Sequence, residues 1–157
     1  MSGNKTLIAY STKQGATGEA ARTIADVLRS KYNLEVDLLD LKNQDCNNLE
    51  EYKNIVIGAG IRGGRAYGKA MKFLKKDLTG KRLAFFVSSS WAGTPGSHEN
   101  AKSRLVDKKL SKYSQLDIIS TEAFGGRIKY FGKLMLDNTD LGKVKVWAEE
   151  LGEKFTK

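Results

Sequence analysis

The sequence has very few of the residues that build disulfides, metal sites and membrane spans. Among 157 residues there is one cysteine, Cys46, and one histidine, His98. An internal disulfide is therefore excluded, and no spacing typical of a metal site exists. No apolar run approaches the length that crosses a bilayer, and the polar start, residues 1–5, does not resemble a secretory signal. We therefore predict a cytoplasmic protein without metal ligands.

Patterns typical of covalent and nucleotide-dependent catalysis are also missing. There is no Gly-x-Ser-x-Gly elbow, and no Gly-Lys-Ser or Gly-Lys-Thr follows a glycine loop. Gly58-Ala-Gly60-Ile-Arg-Gly63 matches the dinucleotide fingerprint, but the acidic residue about twenty positions on is Asp77, in a lysine-rich helical stretch. We expect no NAD site and no dedicated catalytic residue, and we expect these glycines to let the backbone approach a flat ligand.

Charge is the unusual bulk property. Lysine and arginine total 27 against 18 aspartate and glutamate, which gives a net charge of +9. The basic residues are spread over most predicted helices and form no nucleic-acid recognition motif, so no nucleic-acid partner is predicted. A solvated basic surface, an acidic protein partner and an anionic membrane surface remain open.

Apolar runs alternate with helical patterns along the chain. The patterns predict strands at 5–10, 34–41, 54–58, 82–87 and 116–124, and helices at 19–32, 67–78, 97–113 and 141–155. Residues 46–52 are predicted as a loop with a short helix, and 127–136 as a short helix packed on the sheet end. This alternation predicts one α/β domain over residues 1–157, with five parallel strands and helices on both faces. The loops after strands one, three and four then share one sheet edge.

The loop after the first strand has the composition of a phosphate-binding turn. Three hydroxyls (Ser11, Thr12, Thr17), the Gln14 amide and flexible Gly15 precede the first helix. Unpaired N–H groups at a helix N-terminus favour anions. The alternative is an ordinary polar turn in which Thr17 caps the helix.

Together these segments resemble the flavodoxin family. The resemblance rests on Ser11-Thr12-Lys13-Gln14-Gly15-Ala16-Thr17, on residues 57–62 and on the glycine-rich end of the fifth strand. It is nearest to the short-chain branch that includes menaquinone-dependent protoporphyrinogen oxidases, with a shortened segment before the last helix. It implies a flavodoxin-like sheet of order 2-1-3-4-5, FMN as cofactor, and electron transfer.

The resemblance also implies which residues hold the cofactor. The phosphate is expected at residues 11–17, and the flavin ring between residues 59–64 and 88–93, with Trp91 as the candidate for stacking. The expected cofactor-binding residues are Ser11, Thr12, Lys13, Gln14, Gly15, Ala16, Thr17, Ala59, Gly60, Ile61, Arg62, Gly63, Gly64, Ser88, Ser89, Ser90, Trp91 and Gly93.

Two departures from the family shape the functional expectation. Arg62 and Arg65 lie where many flavodoxins are acidic, so one of them is expected to stabilise reduced flavin and raise its potential, or both face solvent. The shortened segment favours an electron carrier for redox proteins, such as acidic ferredoxin-like partners. The alternatives are an oxidoreductase of protoporphyrinogen oxidase or quinone reductase type, and a phosphate-binding protein without flavin. Residues 128–136 are basic and apolar enough to touch a membrane or partner.

Overall fold

A computed structural model describes residues 5–12, 15–46, 48–62, 65–66, 68–131 and 133–157. The side chains of residues 62, 65, 66, 129 and 130 are not described. The predicted Lys13, Gln14, Gly63 and Gly64 therefore lie outside the described residues.

Five parallel strands form the centre of the fold. They are β1 (Lys5–Ser11), β2 (Val36–Asp40), β3 (Tyr52–Arg62), β5 (Arg82–Ser88) and β6 (Ile118–Phe124), in the order β2-β1-β3-β5-β6. A short strand, β4 (Arg65–Ala66), pairs antiparallel with the end of β3. Without β4 the order is 2-1-3-4-5, so the predicted topology is confirmed. The prediction that residues 59–62 belong to a loop is wrong, because β3 continues to Arg62.

Helical segments cover both faces of the sheet. They comprise α1 (Ala16–Tyr32), α2 (Gly68–Phe73), α3 (His98–Lys102), a π-helical turn (Ser103–Asp107), α4 (Lys108–Leu110), a 3₁₀ turn (Ser111–Tyr113) and α5 (Leu141–Phe155). The predicted helix over 97–113 is therefore one helical segment with a π-helical turn inside it. The helix predicted over 67–78 is shorter than expected, and the described part of 46–51 contains no helix.

The core divides into two layers because successive strand residues point to opposite faces of the sheet. Ile57 and Phe85 belong to the layer that packs against α2 and the 98–113 segment. Phe86 belongs to the layer that packs against α1 and α5, where its ring meets those of Phe124 and Trp147 at centroid distances of 5.7 and 5.8 Å. The prediction that Trp147 is a core residue is confirmed, since it is buried.

Residues 127–137 form a β-hairpin, so the short helix predicted there is wrong. Strand β7 (Arg127–Tyr130) pairs antiparallel with β8 (Lys133–Asp137), as a separate two-stranded sheet. Most of the segment is not packed on the sheet end, because every residue of β8 is exposed and Phe131 is 95% exposed, whereas Arg127 at its start is largely buried. The alternation of Arg127, Ile128, Lys129 and Tyr130 has the period of a strand, which explains the outcome. The predicted contact of this segment with a membrane or partner stays a prediction.

Candidate functional site

The carboxyl ends of the central strands bring the predicted loops together. Strand pairing sets Ser11 beside Ala59, and Gly60 beside Ser88. A cavity opens at this edge, where parallel sheets of this class bind their ligands. Described residues from four loops line it: Thr12, Ala16, Thr17, Gly60, Ile61, Ser88, Ser89, Ser90, Gly126, Arg127 and Ile128.

Thr12 and Gly15 are in contact just before α1 begins. Gly15 has φ of 89°, a left-handed conformation that glycine adopts without strain, and its amide donates to Thr12 Oγ1 at 3.1 Å. The Glu19 amide donates to the Gly15 carbonyl at 3.0 Å, which closes the first turn of α1. The Thr12 hydroxyl therefore stands beside Gly15, at the N-terminus of α1.

The N-terminus of α1 is open to an anion. The N-cap residue is Gly15, which has no side chain to accept from the first amides of the helix, so the alternative in which Thr17 caps this helix is not what the structure shows. The first amides of a helix have no intrahelical acceptor, and the dipole of this 17-residue helix adds positive potential there. The arrangement can bind a phosphate group through main-chain donors and hydroxyls.

Ser88 supplies a polar atom that lacks a partner. It is 5% exposed, and within the described part of the chain its Oγ is the buried side-chain polar atom without a hydrogen bond. A buried hydroxyl without a partner is costly, and native proteins seldom retain one without a reason. Because Ser88 lines the cavity, a ligand with polar atoms fits this position and would relieve that cost.

Gly126, Arg127 and Ile128 form the wall opposite the phosphate loop. Arg127 Nη1 lies 2.7 Å from Glu19 Oε2, in the first turn of α1, and Arg127 Nε lies 3.1 Å from Asp137 Oδ2 on β8. The hydrogen bond with Glu19 is the main reason that the pKa of Arg127 is raised, and Asp137 contributes too. Hydrogen bonds from the Thr139 hydroxyl and amide, together with Arg127, lower the pKa of Asp137 to about 2.

Asn138 joins this wall to the serine loop after β5. Its Nδ2 donates to the Ser90 carbonyl at 2.7 Å, and its Oδ1 accepts from the Gly126 amide at 2.9 Å. A Cβ on Gly125 would stand 2.0 Å from the Asn138 carbonyl oxygen, so this position needs glycine, and a Cβ on Gly93 would stand 2.3 Å from Asn138 Oδ1 and would displace that side chain. Gly93 was predicted as a cofactor residue, and in this structure its visible role is to make room for Asn138.

The structure brings together most of the predicted site residues that it describes. Eight of them line the cavity, while Ser11, Gly15 and Ala59 lie at the adjoining strand ends and helix cap. Trp91 is 37% exposed and is not among the described lining residues, so its stacking on a ring stays a prediction. The proposed role of Arg62 or Arg65 also stays a prediction, since their side chains are not described.

Gly58 has a structural role that differs from the expected approach to a flat ligand. It pairs with Phe86 across the sheet, and a Cβ at Gly58 would stand 2.3 Å from the Phe86 ring. The glycine therefore makes room for a core side chain. Gly60, two residues on, is the member of this motif that reaches the cavity.

The sequence-based list omitted Gly126, Arg127 and Ile128. A signal existed, because Gly125-Gly126 follows a parallel strand and must lie at the same edge as the other loops.

Across the described residues no group of three or more acidic, histidine or cysteine side chains is placed to hold a metal ion. The same residues include no helix that is both long and apolar enough to span a membrane.

The described lining residues enclose only about 40 Å³. A small-molecule site usually has several hundred Å³, so this cavity by itself has room for a small group such as a phosphate and not for a whole flavin. The donors suit a ligand with a phosphate group, and the unpaired Ser88 hydroxyl suits a polar ring edge. The donor set of these residues therefore fits the phosphate and the polar ring edge of a phosphorylated flavin.

A parallel α/β sheet with an anion-binding loop after its first strand defines a class of proteins that bind phosphorylated ligands. A family model described as a flavodoxin domain matches residues 7–148. The chain belongs to this flavodoxin-domain family, and the fold implies a flavin cofactor with redox chemistry.

Two curated relatives share the same printed name. The chain is 35% identical over 75 residues to "Protoporphyrinogen IX dehydrogenase [quinone]" of Escherichia coli K12, covering 48% of this chain and 41% of that relative. It is 31% identical over 85 residues to the protein of that name from Leishmania major, covering 52% and 37%. The matched stretch thus spans less than half the length of either relative.

Solved flavodoxins share the fold over nearly the whole chain. Flavodoxin 1 from Bacillus cereus has a TM-score of 0.63 at 22% identity and covers 97% of both chains. A flavodoxin from the domain Archaea has a TM-score of 0.68 at 17% identity, covering 98% of this chain and 99% of that one. At this identity the likeness supports the fold alone.

Proposed function

We propose that this chain binds FMN and carries electrons between redox partner proteins in the cytoplasm. The observation that carries the proposal is the N-terminus of α1, where Gly15 provides no side-chain cap, together with the Ser88 hydroxyl, which has no hydrogen-bond partner among the described residues; both lie at one cavity at the switch point of a flavodoxin fold. The phosphate would be held by Thr12, Thr17 and the first amides of α1. The isoalloxazine ring, when bound, supplies the one- or two-electron chemistry.

A binding and redox experiment tests this proposal. Purified protein is stripped of small molecules and titrated with FMN, with fluorescence quenching and flavin absorbance as readouts, and is then reduced anaerobically. We expect saturable binding of one FMN and reversible reduction. Saturation by a phosphate ligand without any FMN binding would instead support a flavin-free phosphate-binding protein.

A lysine-rich groove supports an acidic redox partner. Leu41 and the following residues of the loop after β2 face α2 across a cavity of about 520 Å³, at the same edge of the sheet as the flavin site. Lys42, Lys69, Lys72, Lys75 and Lys76 line it, with Asp45 as the acidic residue among its described lining. Asp45 pairs with Lys76 at 3.3 Å, which leaves a strong positive excess. Such a surface attracts a negatively charged protein.

Charge reversal tests the groove as the docking surface. Lys72→Glu should slow electron transfer to an acidic ferredoxin and flatten the dependence of the rate on salt, because long-range attraction is lost. Lys112→Glu changes the same charge in the 3₁₀ turn and serves as the control. Equal effects of the two variants would show that only the net charge matters.

The second candidate function is a flavin-dependent oxidoreductase that acts on a protoporphyrinogen or a quinone. It is favoured by the identity to the two dehydrogenases, which exceeds the identity to the flavodoxins described above. FMN-loaded protein is assayed for protoporphyrinogen oxidation with a quinone as acceptor. Turnover would establish the enzyme, whereas reduction and oxidation by protein partners alone would establish the carrier.

A further inference from the structure

Arg127 is positioned against the phosphate loop by two carboxylates on different elements. Its side chain is 12% exposed, and it forms ion pairs with Glu19 of α1 and Asp137 of β8. Its Nη1 lies 3.2 Å from the point where a Cβ on Gly15 would stand. We call the ion pairs of Glu19, Arg127 and Asp137 the Arg127 bridge.

The Arg127 bridge lies at the cavity. Arg127 follows Gly126 directly, and both line the cavity together with Thr12 and Thr17 of the phosphate loop. The cavity that these residues share measures about 40 Å³, which is room for a small group such as a phosphate. The contact between Glu19 and Arg127 is the ion pair that ties the wall to α1.

The charges of the bridge act on an incoming phosphate with opposite signs. A guanidinium has five N–H donors in a planar fork that suits phosphate oxygens, so Arg127 attracts the ligand. The Glu19 carboxylate lies in the first turn of the same helix whose amides form the anion site, so it repels the ligand. Glu19 and a phosphate therefore compete for one guanidinium.

We propose that Arg127 is a phosphate-sensing residue that selects phosphorylated over unphosphorylated flavin. Glu19 and Asp137 hold its guanidinium at the mouth of the phosphate loop, and a bound phosphate takes it over from Glu19. This inference rests on the proposed function for the identity of the flavin, and it goes beyond that function by naming the residue that sets ligand choice. Ser88 marks the same cavity as a ligand site, because its buried hydroxyl has no hydrogen-bond partner among the described residues, and a contact of that hydroxyl with the ring that both flavins share would leave the choice between them to Arg127.

If Arg127 had only a structural role, its variants would behave differently from those of a phosphate-sensing residue. In that case Arg127 would only fix the β7–β8 hairpin to α1. Removing the charge of either Arg127 or Glu19 would then weaken the binding of every ligand alike. A phosphate-sensing Arg127 instead predicts opposite signs for changes at Arg127 and Glu19. It also predicts that only ligands with a phosphate respond.

The test measures dissociation constants for FMN and riboflavin, which share the ring and differ in the phosphate. Arg127→Gln should lower the preference for FMN over riboflavin by about ten- to hundredfold, the usual worth of hydrogen bonds to charged groups. Glu19→Gln should raise that preference by about threefold, as expected for removing a partly exposed charge. Riboflavin affinity is the internal control for folding in each variant.

Arg104→Gln is the matched control. It removes the same charge from an exposed position in the π-helical turn, in the segment that packs on the sheet face opposite α1. It should leave the preference for FMN unchanged within about twofold, because a screened charge at that distance acts weakly. Equal losses in Arg104→Gln and Arg127→Gln, or parallel losses in Arg127→Gln and Glu19→Gln, would overturn the proposal.

Inorganic phosphate separates this inference from the proposed function. If wild-type protein binds neither flavin, the proposed function fails, and the Arg127 bridge is then tested by phosphate-dependent thermal stabilisation. Wild-type protein should be stabilised by phosphate, Arg127→Gln less so, and Glu19→Gln more so. The same stabilisation in all three proteins would overturn the role of Arg127.

Discussion

Replacing Asn138 by alanine should loosen the attachment of the β7–β8 hairpin to the site while the rest of the fold persists. The side chain makes two hydrogen bonds, of 2.7 Å to the Ser90 carbonyl and 2.9 Å from the Gly126 amide. Each has a net worth of about 0.5–1.5 kcal/mol, so their combined loss should cost about 2 kcal/mol. The space between Gly93 and Gly125 would also be left unfilled.

Hydrogen exchange of the Gly126 amide and of the hairpin is the direct assay. A loss of about 2 kcal/mol corresponds to exchange that is about 30-fold faster, since 1.4 kcal/mol is tenfold. The backbone bond from Asn138 N to Gly126 O, 3.1 Å long, should remain and limit the effect. Urea unfolding of the core should change less than the local exchange does.

Asn43→Ala provides the matched control, because Asn43 is exposed and no side-chain hydrogen bond is described for it. Its exchange pattern around Gly126 should equal that of the wild type. Unchanged exchange at Gly126 in Asn138→Ala would refute the reasoning. It would mean that the hairpin is held by other contacts and that Asn138 does not join the two loops.

Three further results are expected. Gly58→Ala should lower the free energy of unfolding by about 2–3 kcal/mol, because its Cβ would overlap the Phe86 ring. Gly68→Ala, where a Cβ meets no atom within 4 Å, is the control and should be neutral or stabilising by up to about 1 kcal/mol. Similar urea midpoints for the two variants would contradict this prediction. Ser88→Ala should leave the unfolding free energy unchanged or raised by up to about 1 kcal/mol while flavin affinity falls, and a loss of stability would show that the hydroxyl has a partner. The lowered pKa of Asp137 means that its ionised form stabilises the fold, so this contribution is present above about pH 4 and is lost as the pH falls toward about 2. The stability of Asp137→Asn should lack that dependence on pH. The same loss of stability between about pH 4 and about pH 2 in the variant and the wild type would argue against this role of Asp137.

The strands and long helices were predictable because their signals are local. The apolar runs that became β1, β3 and β5 need no partner to identify them, since burial on both faces demands continuous apolar residues. The spacing of Val144, Ala148 and Leu151 likewise predicts α5, because residues three and four apart share a helix face. Parallel topology then places the loops at one edge, so most of the candidate site was also predictable.

The hairpin and the Arg127 bridge were decided by the tertiary structure. A short segment of alternating basic and apolar residues is compatible with an amphipathic helix or a hairpin, and the pairing of Ile128 with Leu136 settles the choice. The ion pair between Glu19 and Arg127 joins residues far apart in the chain, and no local pattern encodes that distance. Sequence periodicity reports which face of an element is buried, whereas the partners across that face depend on how the whole chain packs.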